Sequence, residues 1–291
     1  MVFSSKKVGF YAGLILLMIN LSYCSLNRIV SHTFGSFMED GIKVMYQEED
    51  LEIAEQFMAN NLKMVEILLA RDPDNPELNL TAAQGFGAFA MAFVEDKDLE
   101  RAERLYFRGL QYAFKALPED KKFDVQVKPA ELEIILSKYT KSEVPALFWL
   151  GYNWGSYVLH HLDEPRILVN LSKVEMIMHR VLELDETYNF AGVHLFYGTF
   201  YAARPPLLGG NPELGRQHFE RNLELTNNSF YMTKFMLARY YAVQVQNREL
   251  FDSLLQEIIT LDLNKYPEIK LMNSLAKQKA KQLIKDQDLY W

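Results

Sequence analysis

The sequence predicts an all-α fold of stacked helix pairs, and three observations predict it. Apolar residues recur at three- and four-residue spacing along nearly all of the chain after Cys24, the period of an amphipathic helix. Glycine and proline are sparse, 14 and 10 among 291 residues, which disfavours a turn-rich β fold. One helix ending also recurs. It reads Val181-Leu182-Glu183-Leu184-Asp185, then Asn222-Leu223-Glu224-Leu225-Thr226, then Ile258-Ile259-Thr260-Leu261-Asp262, with Ile67-Leu68-Leu69-Ala70-Arg71-Asp72-Pro73 as a related form.

The elements follow in order. Ile53, Phe57, Asn61-Leu62, Val65, Leu68 and Leu69 form the apolar face of a first helix. Asp72-Pro73-Asp74-Asn75-Pro76 ends it and opens the next, with Pro76 at the first helical position, where its missing N–H costs nothing. Leu78 to Val94 is a helix of small and aromatic residues, and Asp98 to Leu117 is a third. Pro118 to Lys128 is a charged connection, and Pro129 to Lys138 a short amphipathic helix. The stretch from Ala146 to Tyr157 is apolar nearly all round, so it should be buried or line a cavity. Leu184 and Leu225 are 41 residues apart, and Leu225 and Leu261 are 36 apart. Both are near the roughly 34 residues of a tetratricopeptide helix pair. The first-helix pattern of that repeat survives in part, as Trp149-Leu150-Gly151-Tyr152. One pair cannot bury its own apolar face, so pairs stack, giving a tetratricopeptide-like α-solenoid.

The first 24 residues differ from the rest. Lys6-Lys7 precedes an apolar run from Val8 to Ile19, shorter than the roughly 20 residues a spanning helix needs. Residues 1–23 therefore read as a signal peptide and residues 24–291 as one helical-repeat domain. Leu21-Ser22-Tyr23-Cys24 is similar to a bacterial lipobox, in which Cys24, the single cysteine, becomes the lipidated first residue. Tyr23 stands where Gly, Ala or Ser is usual, so an uncleaved apolar anchor is the alternative reading. Ser25 follows rather than Asp, which points to the outer membrane more than the inner. One cysteine excludes an internal disulfide. Without residues 1–23 the chain has 29 basic and 38 acidic residues, a net −9. That balance is unsuited to nucleic acid, whose phosphates need Lys and Arg.

Little in the sequence suggests catalysis. The adjacent His160 and His161 point about 100° apart on a helix and cannot share a metal. His32, His179, His194 and His218 stand alone, so no metal site and no cofactor is expected. Gly85-Phe86-Gly87-Ala88-Phe89-Ala90 has the outline of a dinucleotide fingerprint but lies within a helical pattern, without the preceding strand that motif needs. Glu95, Asp96, Asp98 and Glu100 cluster at a helix start, where acids favour the helix dipole. No Gly-x-Ser-x-Gly elbow is present. The chain reads as a binding protein rather than an enzyme.

Two features suggest a site. Alternate helices are rich in aromatics, and in a stacked array these helices line the concave face. Phe89, Phe93, Trp149, Tyr152, Asn153, Tyr197, Phe200 and Arg204 are the candidate lining of a ligand cleft; core packing is the competing reading of any one of them. The second feature is the stiff loop from Ala203 to Pro212. Its apolar Pro205, Pro206, Leu207 and Leu208 form a candidate partner contact, or else fold back over the array.

The order of motifs resembles the TatT family, the T components associated with tripartite ATP-independent periplasmic (TRAP) transporters. The resemblance rests on Cys24-Ser25-Leu26-Asn27, Asp72-Pro73-Asp74-Asn75-Pro76, Phe93-Val94-Glu95, Arg101-Ala102 with Arg104-Leu105-Tyr106, Val144 to Trp149, Leu182 to Asp185, Arg204-Pro205 with Gly209-Gly210, and Phe219-Glu220. These span essentially the whole mature chain. The sequence departs from the family at Tyr23 and at Leu207-Leu208. The resemblance implies a periplasmic lipoprotein, anchored to the membrane by its lipid and assembled as a homotrimer. It implies a periplasmic substrate-binding subunit as partner, a small hydrophobic or carboxylate ligand, and no catalytic residues. A general tetratricopeptide-like envelope scaffold is the alternative function.

Overall fold

A computed structural model describes residues 41–159, 165–204 and 209–291. Residues 1–23, Cys24 and the loop residues Pro205, Pro206, Leu207 and Leu208 lie outside this set. The chain divides into two compact units, residues 1–47 and 48–291. In the first, residues 41–46 form a turn of helix. The second holds the helical array, and the described residues contain no strand.

The helices begin where short polar side chains cap them. α1 (Leu51–Leu69) starts at Asp50, whose carboxylate accepts from the amides of Glu52 and Ile53. Asn75 does the same for Glu77 and Leu78 at the start of α2 (Pro76–Phe89). Each such cap satisfies amides that would otherwise lack a partner. α2 runs on into a π-helical turn, π1 (Ala90–Val94). Asp98 caps α3 (Leu99–Lys115). α4 (Pro129–Leu136), α5 (Val144–Leu159), α6 (Pro165–Leu184) and α7 (Tyr188–Ala202) follow. Asn211 caps α8 (Pro212–Leu225). α9 (Met232–Met236) passes into a second π-helical turn, π2 (Leu237–Ala242), and α10 (Arg248–Thr260) and α11 (Lys270–Lys285) complete the unit.

The pairs α2/α3, α5/α6, α7/α8 and π2/α10 pack together, and α3/α5, α6/α7 and α7/π2 join one pair to the next. α5 is central: it meets α2, α3, α6 and α7, and it buries residues on every side, from Val144 through Val158. Its apolar sequence therefore reports burial, as expected. Within this unit the last helix also packs on the first, α11 on α1. Lys279 of α11 forms an ion pair with Asp96 just after π1.

α1 departs from its expected register. Ala54, Met58, Leu62, Val65 and Leu69 are buried, whereas Ile53, Phe57, Met64 and Ile67 are exposed. The helix carries two apolar faces roughly opposite one another, and spacing alone does not say which one α2 covers.

Candidate functional site

The aromatic candidates gather in two clusters of the buried core. In the first, α5 supplies Phe148, Trp149 and Tyr152. The Trp149 ring meets Phe148 and Tyr152 edge-on, with centroids 5.2 and 5.3 Å away. Tyr188 completes the group: its hydroxyl accepts from Trp149 Nε1 at 3.2 Å, and its ring meets Phe148. Phe89 and Phe93 are both buried on α2 and π1 and pack on each other at 5.7 Å.

In the second cluster, α7 supplies Tyr197 and Phe200. Tyr197 stacks on Tyr201 and on His218 of α8, and its hydroxyl donates to the carbonyl of Glu175. Arg204 is buried, with its guanidinium 3.4 Å over the centre of the Phe200 ring. Its Nε donates to the Phe200 carbonyl at 2.6 Å and its second guanidinium arm to that of Gly209 at 3.4 Å. Burial holds the Arg204 pKa below its ordinary value. This arginine binds its own loop to the end of α7.

Asn153 is wholly buried, and its amide nitrogen donates to the carbonyls of Ala83 and Trp149, at 3.0 and 2.7 Å. A Cβ at Gly87 would lie 2.6 Å from Asn153 Oδ1, and one at Gly109 would lie closer still. The residue bonds α5 to α2 and sits against Gly109 of α3, in a gap that only glycine leaves open.

A polar group missed by the sequence reading lies between the two π-helical turns. Glu95, expected on the surface as part of a helix start, is half-buried just after π1. Its Oε2 accepts from the hydroxyl of fully buried Tyr106 at 2.8 Å. Tyr106 in turn meets Tyr152 edge-on at 6.2 Å. Tyr240 enters from π2, in the field of the same carboxylate. Burial first, and the Glu95 charge with it, raises the pKa of Tyr106, Tyr152 and Tyr240, so all three phenols are neutral at physiological pH. Tyr152 and Tyr240 are both partly accessible. π-helical turns are rare and often mark functional sites; here they bring Glu95 and Tyr240, 145 positions apart in the chain, to one place.

A second missed feature is a histidine pair. His194 Nδ1 lies 3.0 Å from His218 Nδ1, and His194 Nε2 lies 3.0 Å from Glu186, whose carboxylate Arg221 also holds. A carboxylate only accepts. His194 Nε2 therefore carries the proton, its Nδ1 accepts, and His218 donates. Among the described residues no three of His, Cys, Asp and Glu converge as metal ligands would, and none of the described helices is long and apolar enough to cross a membrane.

A model of the family described as TRAP transporter T-component matches residues 47–291, which include the aromatic clusters, both π-helical turns and the histidine pair. An uncharacterized protein of Treponema pallidum (strain Nichols) is 25% identical over 293 aligned positions, covering 89% of this chain and 90% of its own.

Proposed function

The chain belongs to the TRAP transporter T-component family, and on that premise we propose that it is a lipid-anchored periplasmic accessory of a TRAP-type transport system. It docks a substrate-binding subunit and holds a small apolar or carboxylate ligand among its aromatic side chains. The family is one of transporter components of the bacterial envelope and not of enzymes. The observation that supports the ligand reading is the aromatic cluster on α5, in which Tyr152 stays partly accessible. Phe148 and Trp149 pack on the Tyr152 ring, and Tyr188 packs on Phe148. Apolar walls with a few convergent polar groups are the usual make-up of a small-molecule site.

The competing scaffold reading needs a polar, asparagine-lined concave face for an extended peptide. The buried asparagines serve inside the fold instead. Asn79 donates to the carbonyls of Pro73 and Asn75, and Asn273 bonds the backbone of Ser229 and Tyr231. Asn153 and Asn222 likewise bond backbone carbonyls.

Cys24 supplies the anchor in this reading, in the outer membrane, and the working assembly is a homotrimer with the Pro205–Leu208 loop as a partner contact. Cys24→Ser moves the protein into the soluble periplasmic fraction; retention of the variant in membranes would identify the apolar leader as the anchor. Native mass spectrometry of the purified protein, with capture from periplasmic extract, reports a trimer and a co-purifying substrate-binding subunit. A strict monomer without such a partner would overturn the transport-accessory reading.

A further inference from the structure

We propose that the exposed face of α1 is a contact between two copies of this chain, whose α1 helices pair antiparallel about a two-fold axis close to Asn60. The inference goes beyond the homotrimer reading above and does not rest on it.

The pattern of the helix supplies the first argument. Ile53, Phe57, Met64 and Ile67 are 56%, 41%, 51% and 56% exposed. Together with exposed Asn60 and Arg71 they stand at alternating steps of four and three residues, the spacing of a coiled-coil seam. The opposite face, with Ala54, Met58, Leu62, Val65 and Leu69, is the one buried in the array. α1 is also the first helix of that array, packed on α2 and α11. An end helix of a helical array needs a polar outer face to stay soluble, whereas this one is apolar along about 20 Å of its length. The four side chains expose on the order of 400 Å² on each copy. Two such faces with their polar flanks reach about 1,000 Å², the lower bound of a specific interface.

Charge identifies the occupant and its direction. Exposed Glu52 stands at the N-terminal end of the stripe and Arg71 at its C-terminal end. Parallel helices, in a pair or around a three-fold axis, would set Arg71 against Arg71 and Glu52 against Glu52, with their dipoles aligned. Antiparallel pairing instead sets Arg71 of each copy by Glu52 of the other and lays Phe57 over Ile67 in both halves. It also brings both Asn60 amides, each able to donate and accept, close to the axis. The stripe is thus complementary to itself, as an isologous contact requires, and one polar residue within such a seam fixes its register. A membrane surface fits less well. Helices that lie on membranes carry Lys and Arg beside their apolar face, but α1 holds Glu52, Glu55 and Glu66 against Lys63 alone.

Native mass spectrometry of the full chain in non-ionic detergent, across a range of concentrations, is expected to show even-numbered species. Dimers support the contact alone, and hexamers support it together with the trimer. Ile67→Glu puts an unpaired charge into the contact and should weaken it about tenfold or more, leaving monomers or trimers. The thermal midpoint of that variant should not fall, because Ile67 is exposed in the single chain. Arg71→Glu and Glu52→Arg should each weaken pairing about threefold, and the two together should restore it. Odd-numbered species alone, with Ile67→Glu without effect, would overturn the proposal and leave the trimer reading standing. Dissociation by Ile67→Glu without rescue by the charge exchange would overturn the antiparallel arrangement. If Ile67→Glu abolishes binding to phosphatidylglycerol vesicles and leaves the oligomer intact, the face belongs to the membrane and the proposal fails.

Discussion

Two polar joints hold the array together, and they are built on opposite terms. At the α2/α3/α5 joint, Asn153 enters a gap between Gly87 and Gly109. Both neighbouring helices keep ordinary geometry, and the close approach is obtained by leaving out two side chains. At the α7/α8/α9 joint, Asn222 is equally buried, but it holds an unusual backbone. Asn189, Phe190 and Ala191 lie at φ 50°, 57° and 52°, in the left-handed region that non-glycine residues rarely occupy. Asn222 Nδ2 donates to the carbonyls of Phe190 and Ala191 at 2.7 and 2.9 Å, and its Oδ1 accepts from Thr233 at 2.5 Å. Phe190 stacks on Phe230 at 4.8 Å. The first joint permits contact by omission, whereas the second holds a strained turn in place. The second also contains the histidine pair, so it alone of the two has titratable imidazoles at its centre.

If that contrast is right, the strained joint should lose more when its amide is removed. Asn222→Ala removes the amide that bonds the Phe190 and Ala191 carbonyls and the Thr233 hydroxyl and lets the left-handed turn relax. At about 1–3 kcal/mol for each orphaned group, partly offset by relief of strain, the loss should be about 4 kcal/mol in urea or thermal unfolding. A loss below about 1 kcal/mol would show that the turn is stable without the clamp.

The omission joint should answer to overpacking instead. Gly109→Ala places a methyl against the Asn153 amide, which two hydrogen bonds hold still. The expected cost is about 3 kcal/mol, at the upper end for one added methylene in a packed core. Asn153→Ala in the same chain should recover part of it by emptying the space, and a fully additive double variant would show that the two sites do not share that space.

Much of this was legible in the sequence, for local reasons. Asp98 and Pro76 mark helix starts because a cap and a missing N–H act within one turn, and the apolar run through Trp149 reports burial on all sides. The face α1 presents was not legible, because its two apolar stripes match the helical period equally well. Nor was the role of Glu95. Its neighbour Asp98 does cap α3 as the pattern suggests, but Glu95 meets Tyr106 eleven positions away across a π-helical turn, and such a turn leaves no periodic signature. His194 and His218 are 24 residues apart on adjacent helices, a separation that no ligand-spacing rule covers. Tertiary packing brought together what the sequence left apart.

The histidine pair gives the last and smallest effect, and the one that separates the two joints by pH. Burial, and then the neighbouring His194, pushes the His218 pKa down to about 4; burial likewise lowers that of His194 against the opposing pull of Glu186. An unfolded histidine titrates near about 6.5. Between these values the unfolded chain binds protons that the folded chain refuses, so folding stability rises with pH. The contribution is complete above about pH 6.5 and is lost as the pH falls through about 4. A second proton on the pair would place two positive rings at the 3.0 Å contact, with Tyr197 and Tyr201 stacked on His218 and Arg221 behind Glu186. After allowance for solvent around the half-buried His218 ring, the loss should reach about 2 kcal/mol. Glu66, Glu143, Asp185 and Glu186 have lowered pKa values, so their contributions fade only at still lower pH. The interval from about pH 6.5 to 4.5 thus belongs to the histidines. Thermal unfolding across that interval should show a falling midpoint for the native chain and a shallower slope for His218→Gln, whose amide can still donate to His194 Nδ1. Equal slopes would assign the acid response elsewhere and leave the strained turn as the sole difference between the joints.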